Sequence, residues 1–216
     1  MKTIDLSGNW SYKTDYDDLG IQKEYYKNAF ELGGFMLPGS ACENGIGKKQ
    51  EYYDELTKEA VRAPREKYEY IAPLWLQREV DVPKEFEGKH IRLFLERVNI
   101  ASELWIDGEK IGRQIIELSA PHIYNLTGKL TVGKHILTLR IDNRNLLNID
   151  TMASGYSVDT QGYWNGIVGR IELQCEDIFH IENIQIYPDN KGINVKVTET
   201  SDVYSPFVHK DAFIEI

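Results

Sequence analysis

Cysteine is almost missing from this 216-residue chain: Cys42 and Cys175 stand far apart and outside any C-x-x-C spacing. That excludes a disulfide framework and a thiolate metal site as organising devices and leaves two free thiols. Long apolar runs are missing too. No stretch approaches the roughly 20 residues that a membrane helix needs, and the opening Met1-Lys2-Thr3-Ile4-Asp5-Leu6-Ser7-Gly8 carries no hydrophobic signal segment. Positive charge is in deficit, with 25 Lys and Arg against 34 Asp and Glu and a net charge of -9. Such a balance repels phosphate backbones and anionic lipid, so neither nucleic acid nor a membrane is an expected partner. The five histidines, His90, His122, His135, His180 and His209, show no zinc-ligand spacing. Gly45-Ile46-Gly47-Lys48-Lys49 lacks the full Walker spacing and reads as a plain loop.

Aromatic residues are plentiful, with 13 Tyr, 7 Phe and 4 Trp. They suit either a packed β core or sugar-stacking surfaces, since both reward flat apolar faces with polar rims. Strand patterns dominate from Leu74 onward. Leu74, Leu76, Val80 and Val82 share one parity while Gln77, Glu79 and Asp81 hold the other, and Pro83 ends the run. Ile91, Leu93 and Leu95 repeat the pattern, as do Leu137, Leu139 and Ile141, and Ile167, Gly169, Ile171 and Leu173 give one more strand. Asp107-Gly108 between two such runs signals a hairpin, because both turn positions must tolerate positive φ. Helix-length periodic segments are scarce. The spacing predicts an antiparallel sandwich rather than βαβ units. From Asp15 to Lys67 the chain is charged, Tyr-rich and weakly periodic, which predicts long loops with helical turns near 22–30 and 51–60. After Cys175 the texture reads as strand, turn, strand, followed by a short apolar run at 212–216.

The order Leu6-Ser7-Gly8-Asn9-Trp10, Leu74-Trp75-Leu76-Gln77-Arg78, Glu96-Arg97-Val98, Leu104-Trp105-Ile106-Asp107-Gly108, Ser119-Ala120-Pro121-His122, Val132-Gly133-Lys134-His135 and Trp164-Asn165-Gly166-Ile167 resembles the sugar-binding domain of family 2 glycoside hydrolases. That group contains the β-galactosidases, β-glucuronidases and β-mannosidases. The resemblance implies an all-β, jelly-roll β-sandwich of the galactose-binding-domain type over residues 1–176. Residues 177–216 are then either the start of a truncated immunoglobulin-like sandwich or extra edge strands. It further implies that a TIM barrel of the same parent chain carries the catalytic glutamates, and that carbohydrate and that barrel are the partners. A parent in the bacterial periplasm or outside the cell is expected. No cofactor is implied, although a structural calcium ion is compatible. Where members of the group often carry an acidic residue ahead of the Gly166-Ile167 pair, this chain has Thr160, with Asp159 beside it.

No catalytic residue is assigned. A retaining glycosidase needs two carboxyl groups about 5 Å apart on rigid elements, and Glu43, Glu96, Glu103 and Asp159 sit in no recognisable setting of that kind. The candidate sugar-contacting residues are Asp159, Thr160, Trp164, Asn165 and His122. Trp164 could offer an indole face and Asn165 an amide for vicinal hydroxyls; the alternative is that Trp164 caps the core and Asn165-Gly166 makes a turn. Asp159 and Thr160 either bind sugar or a cation, or belong to a solvated loop. His122 stands next to Pro121 in what reads as a loop. Trp10, Trp75 and Trp105 read as core, and Arg78 as one half of a structural ion pair. A purely architectural module without a ligand is the competing function.

Overall fold

The computed structural model describes residues 1–31, 33–50, 66–147, 164–190 and 192–201. The strands are β1 (Lys2–Asp5), β2 (Gly8–Thr14), β3 (Gly33–Leu37), β4 (Gly39–Ser40), β5 (Lys48–Lys49) and β6 (Tyr68–Glu69). They continue as β7 (Pro73–Val82), β8 (His90–Leu95), β9 (Val98–Asn99), β10 (Ala101–Ile106), β11 (Glu109–Ile116) and β12 (His122–Asn125). The last are β13 (Gly133–Asp142), β14 (Gly166–Ile167), β15 (Ile171–Glu176), β16 (Phe179–Asp189) and β17 (Gly192–Ser201). Every pairing among the described residues is antiparallel.

Two sheets make an all-β sandwich: six strands in the order β11-β10-β13-β7-β2-β3 and four in the order β1-β15-β8-β12. Alternation in the sequence fixes which side chains meet between them. Leu74, Leu76, Leu104, Leu137, Leu139 and Ile141 project from the larger sheet, and Ile91, Leu93, Leu95, Ile171, Leu173 and Tyr124 from the smaller. Each fully buried aliphatic side chain contributes about 1.5–3 kcal/mol through its transfer from water. At Asp107-Gly108 both φ angles are positive, 51° and 84°, the tight turn expected from the sequence.

The opposite face of the six-stranded sheet is covered as well. Residues 15–31 fold across it with a short 3-10 turn at Tyr25–Lys27, where helical turns were expected. Asp15 anchors this cover, accepting hydrogen bonds from Trp75 Nε1 (3.0 Å), Leu19 N (2.8 Å) and Gly20 N (2.8 Å). Tyr26 stacks on Trp105 at 5.1 Å and 8°. Beside this stack, buried Arg140 pairs with Glu103 (2.9 Å), Asp142 (3.1 Å) and Asp18 (2.7 Å), and Arg144 pairs with Asp142 (2.6 Å) and Asp18 (2.7 Å). Trp10 belongs to the inter-sheet core, whereas Trp75 and Trp105 are buried in this second layer.

Three expectations need correction. The run from Ile167 to Leu173 is two strands, because Val168–Arg170 turn back on Glu96 and Arg97, so β14 leaves the four-stranded sheet for a ribbon of its own. Arg78 takes carbonyls rather than a carboxylate: its Nη1 donates to the backbone oxygens of Leu6 (2.6 Å) and Ser7 (2.7 Å). His122 lies in β12, not in a loop, since Pro121 ends the preceding turn and His122 pairs with Leu95. The expected helical turn near 51–60 lies outside the described residues. Beyond Cys175, β16 and β17 form the hairpin read from the sequence and pair only with each other among the described residues.

Candidate functional site

One end of the sandwich is closed by a ribbon of three short strands, β4-β14-β9. Gly166 pairs with Ser40 on one side and Asn99 on the other. Glycine is required there: φ is +143°, and a Cβ would collide with the Gly39 carbonyl. The ribbon gathers three asparagines, Asn99, Asn143 and Asn165, none more than 1% exposed. Asn165 Nδ2 donates to Ala72 O (2.7 Å) and Asn143 Oδ1 (3.1 Å). Asn143 Nδ2 donates to Tyr70 O (2.8 Å), and Asn143 Oδ1 also accepts from Ala72 N (3.2 Å). Asn99 Nδ2 donates to the Trp164 carbonyl (2.7 Å). Below them Tyr70 donates its hydroxyl proton to Pro73 O (2.6 Å) and accepts from Asp15 N (2.8 Å). Burial raises the pKa of that phenol well above its ordinary value and keeps it neutral.

These bonds define what each sequence candidate is able to do. Trp164 is half-buried at the mouth of the ribbon, so part of its surface faces outward. Asn165 sits behind it with its donors committed to protein carbonyls, while its Oδ1 is buried without a hydrogen-bond partner among the described residues. Its amide donors thus hold Ala72 and Asn143 in place. His122 is 0% exposed and lies between the sheets. Its Nδ1 shares a proton with Ser102 Oγ (2.6 Å), and Nε2 meets Glu117 O (3.2 Å). Burial lowers its pKa and holds the ring neutral, and its fully covered ring leaves a sugar nothing to touch. Asp159 and Thr160 lie outside the described residues.

Three of the four carboxylates considered for hydrolysis have a local partner. Glu103 is buried against Arg140 and Lys110, Glu96 bonds Arg170 (3.2 Å), and Glu43 accepts from Ser40 N (2.7 Å). Asp159 is again outside the described residues. Sequence reading missed Glu66, whose pKa is raised to about 7 by burial and by the nearby charges of Glu43 and Glu69. It also missed Asn143, because a lone Asn at the end of a strand looks like any turn residue.

No family model matches the chain. The sandwich, however, is a known fold. It superposes on a β-glucuronidase of an uncultured Clostridium species with a TM-score of 0.64 at 18% identity, over 93% of this chain and 34% of that one. It also superposes on a Faecalibacterium prausnitzii β-glucuronidase (TM-score 0.65, 18% identity, 93% and 36%). A Ruminococcus gnavus β-glucuronidase in complex with D-glucuronic acid gives a TM-score of 0.68 at 12% identity, over 93% and 35%. The chain thus spans about a third of the length of the solved structures it matches. At these identities the likeness is one of fold.

Proposed function

We propose that this chain is a non-catalytic carbohydrate-binding sandwich of a larger family 2 β-glycosidase, the loops at its ribbon end forming part of the rim of a sugar site. The hydrolytic carboxylates belong to a barrel of the same parent. One observation carries this reading: nearly the whole chain superposes on only a third of three β-glucuronidases, so such a sandwich accounts for a fraction of a glycosidase rather than for the enzyme. The half-exposed Trp164, held from behind by Asn99, supports the assignment of the ribbon end to the sugar. Residues 1–176 are the sandwich, and the hairpin from Phe179 opens the domain that follows.

A purely architectural role has one observation in its favour, the internal use of Asn165's donors. Titrating the isotope-labelled chain with D-glucuronic acid, galactose and mannose separates the two. The carbohydrate reading expects weak binding, because a shallow site with few polar contacts offsets little association entropy. It expects shifts at the Trp164 indole N–H and at the Gly166 amide, the latter lost in Trp164→Ala. No shift with any sugar would leave the architectural role standing. Release of nitrophenol from nitrophenyl β-D-glucuronide by the chain alone would overturn the non-catalytic assignment.

A further inference from the structure

The flank of the sandwich holds a groove of about 480 Å³ between β11 and β12, the edge strands of the two sheets. Its existence follows from an irregularity in β11. Leu104 pairs with Ile111 and Ser102 with Ile115, so Gly112, Arg113 and Gln114 stand opposite the single residue Glu103. Extra residues bend a strand and re-aim its side chains. Here the bend leaves space against β12 and lines it with Arg113. The lining is largely apolar, with Ile111, Ile115, Ile123 and Tyr124: Tyr124 belongs to the buried core behind the groove, whereas Ile123, on the opposite face of β12, is 46% exposed. The floor is also rigid: Ser102 Oγ bonds both Tyr124 Oη (2.8 Å) and His122 Nδ1 (2.6 Å) in the buried space behind it.

The charges along the groove are ordered. Arg113 and Lys129 line it, and neither takes part in an ion pair among the described residues, in a chain whose net charge is -9. Glu117 lines it too, next to Ile116, which pairs with Ala101 and so marks the opposite end of β11. An apolar floor with cations towards one end and a carboxylate at the other suits a flat, amphipathic ligand with one anionic substituent and several hydroxyls.

We propose that this groove is a second, non-catalytic site for an acidic pyranose, a uronate residue of a glycan. The sugar ring lies against Ile115 and Ile123, its carboxylate between Arg113 and Lys129, and its hydroxyls face Glu117. The choice of a sugar rests on the carbohydrate-binding reading above; the choice of an acidic one rests on the groove's own charges. Such a site would hold a polyuronate along the flank while the ribbon end met its terminal residue.

The test is a set of titrations of the full chain with D-glucuronate, glucose and sulfate, read as amide shifts at Gly112, Ile123 and Tyr124. Glucuronate is expected to move all three, with glucose about tenfold weaker, since charge-assisted hydrogen bonds are roughly twice as strong as neutral ones. Arg113→Gln with Lys129→Gln is expected to bring glucuronate down to the level of glucose, with an unchanged urea midpoint showing an intact fold. Trp164→Ala is expected to leave the groove shifts alone. Equal binding of glucose and glucuronate would overturn the acidic assignment, and equal shifts with sulfate would overturn the sugar. Shifts at Trp164 without any at the groove would remove this site and leave the ribbon-end reading intact; the reverse pattern would remove the ribbon end and leave the groove.

Discussion

Asn143 and Asn165 are joined side chain to side chain, Asn165 Nδ2 donating to Asn143 Oδ1 over 3.1 Å, at the two ends of segment 144–164. They are not equal partners. Asn143 is bonded at both ends of its amide and holds the backbone of Tyr70 and Ala72, whereas Asn165 leaves its own Oδ1 unpaired among the described residues. Asn143→Ala is therefore expected to strand three polar groups and to cost at least about 3 kcal/mol, because each buried group left unsatisfied costs about 1–3 kcal/mol. Asn165→Ala removes a buried acceptor that has no partner and is expected to cost less. Urea denaturation of both variants measures the difference, and a larger loss for Asn165→Ala would contradict the assignment.

Much of this arrangement was legible beforehand. The alternation from Leu74 to Val82 marked the face that enters the core, and Asp107-Gly108 marked its hairpin, because strand period and turn chemistry are local. Non-local facts were not legible. Gln77 looks like the outward parity of a half-exposed strand, yet residues 15–31 bury it, and although Trp75 reads as core, nothing near either in sequence announces that the core has this second layer. His122 follows a proline and so resembles a loop residue, while its pairing with Leu95 is decided by a strand far away. Of the candidate site, the Trp164-Asn165-Gly166 motif marked the turn into β14. The role of Asn165 could not be read, since an amide committed inward and one offered to solvent share the same sequence.

Arg140 is surrounded by Glu103, Asp142 and Asp18 beneath the cover of residues 15–31. Arg140→Met is expected to destabilise the chain by about 3–5 kcal/mol, the usual cost of breaking a buried pair from one side. Burial of Asp18 opposes its ionisation, but hydrogen bonds from Arg140 and Arg144 outweigh that and hold its pKa below the ordinary carboxylate value. Asp18 thus contributes stability at neutral pH that is lost as pH falls through its depressed pKa. Arg140→Met should flatten that acid limb, and an unchanged limb in acid-denaturation curves would show that Arg144 alone sets it.

Glu66 has the opposite sign. Its pKa is raised to about 7 by burial and by Glu43 and Glu69. Between the ordinary carboxylate pKa and about 7 the unfolded chain gives up this proton while the folded one keeps it, so stability falls as pH rises through that window. Glu66→Gln should remove the fall and gain on the order of 1 kcal/mol at pH 8, since a tenfold change in proton affinity is worth about 1.4 kcal/mol and partial contact with solvent screens the effect. Urea midpoints at pH 5 and pH 8 decide it; parallel behaviour of the two proteins would rule the coupling out.

His122 should make stability fall in the other direction. Its buried neutral ring has a pKa below the ordinary histidine value, so the unfolded chain takes up a proton first as pH drops below about 6.5. The slope from one such group approaches about 1.4 kcal/mol per pH unit until the folded ring titrates. His122→Gln is expected to keep bonds to Ser102 and Glu117 without that proton and so to lose the slope. Stability measured from pH 7 to pH 5 checks this, and an unaltered slope would assign it to another histidine.

The hairpin of β16 and β17 gives the last expectation. Ile184 pairs with Val197, Ile186 with Val195 and Pro188 with Ile193, so one face of the ribbon is wholly apolar. Ile186 is 62% and Ile193 63% exposed. Two strands alone are marginal in water, and a face of this kind is ordinarily covered by another sheet or another chain. The chain by itself should therefore bind a hydrophobic dye and associate as its concentration rises. Ile186→Lys with Ile193→Glu should abolish both effects at little cost in folding stability, since exposed side chains carry little of the core. Sedimentation velocity over a concentration series reads the outcome. A monomer at every concentration that binds no dye would mean that the face is covered by the chain's own residues, and the hairpin would then lose its claim to open a following domain.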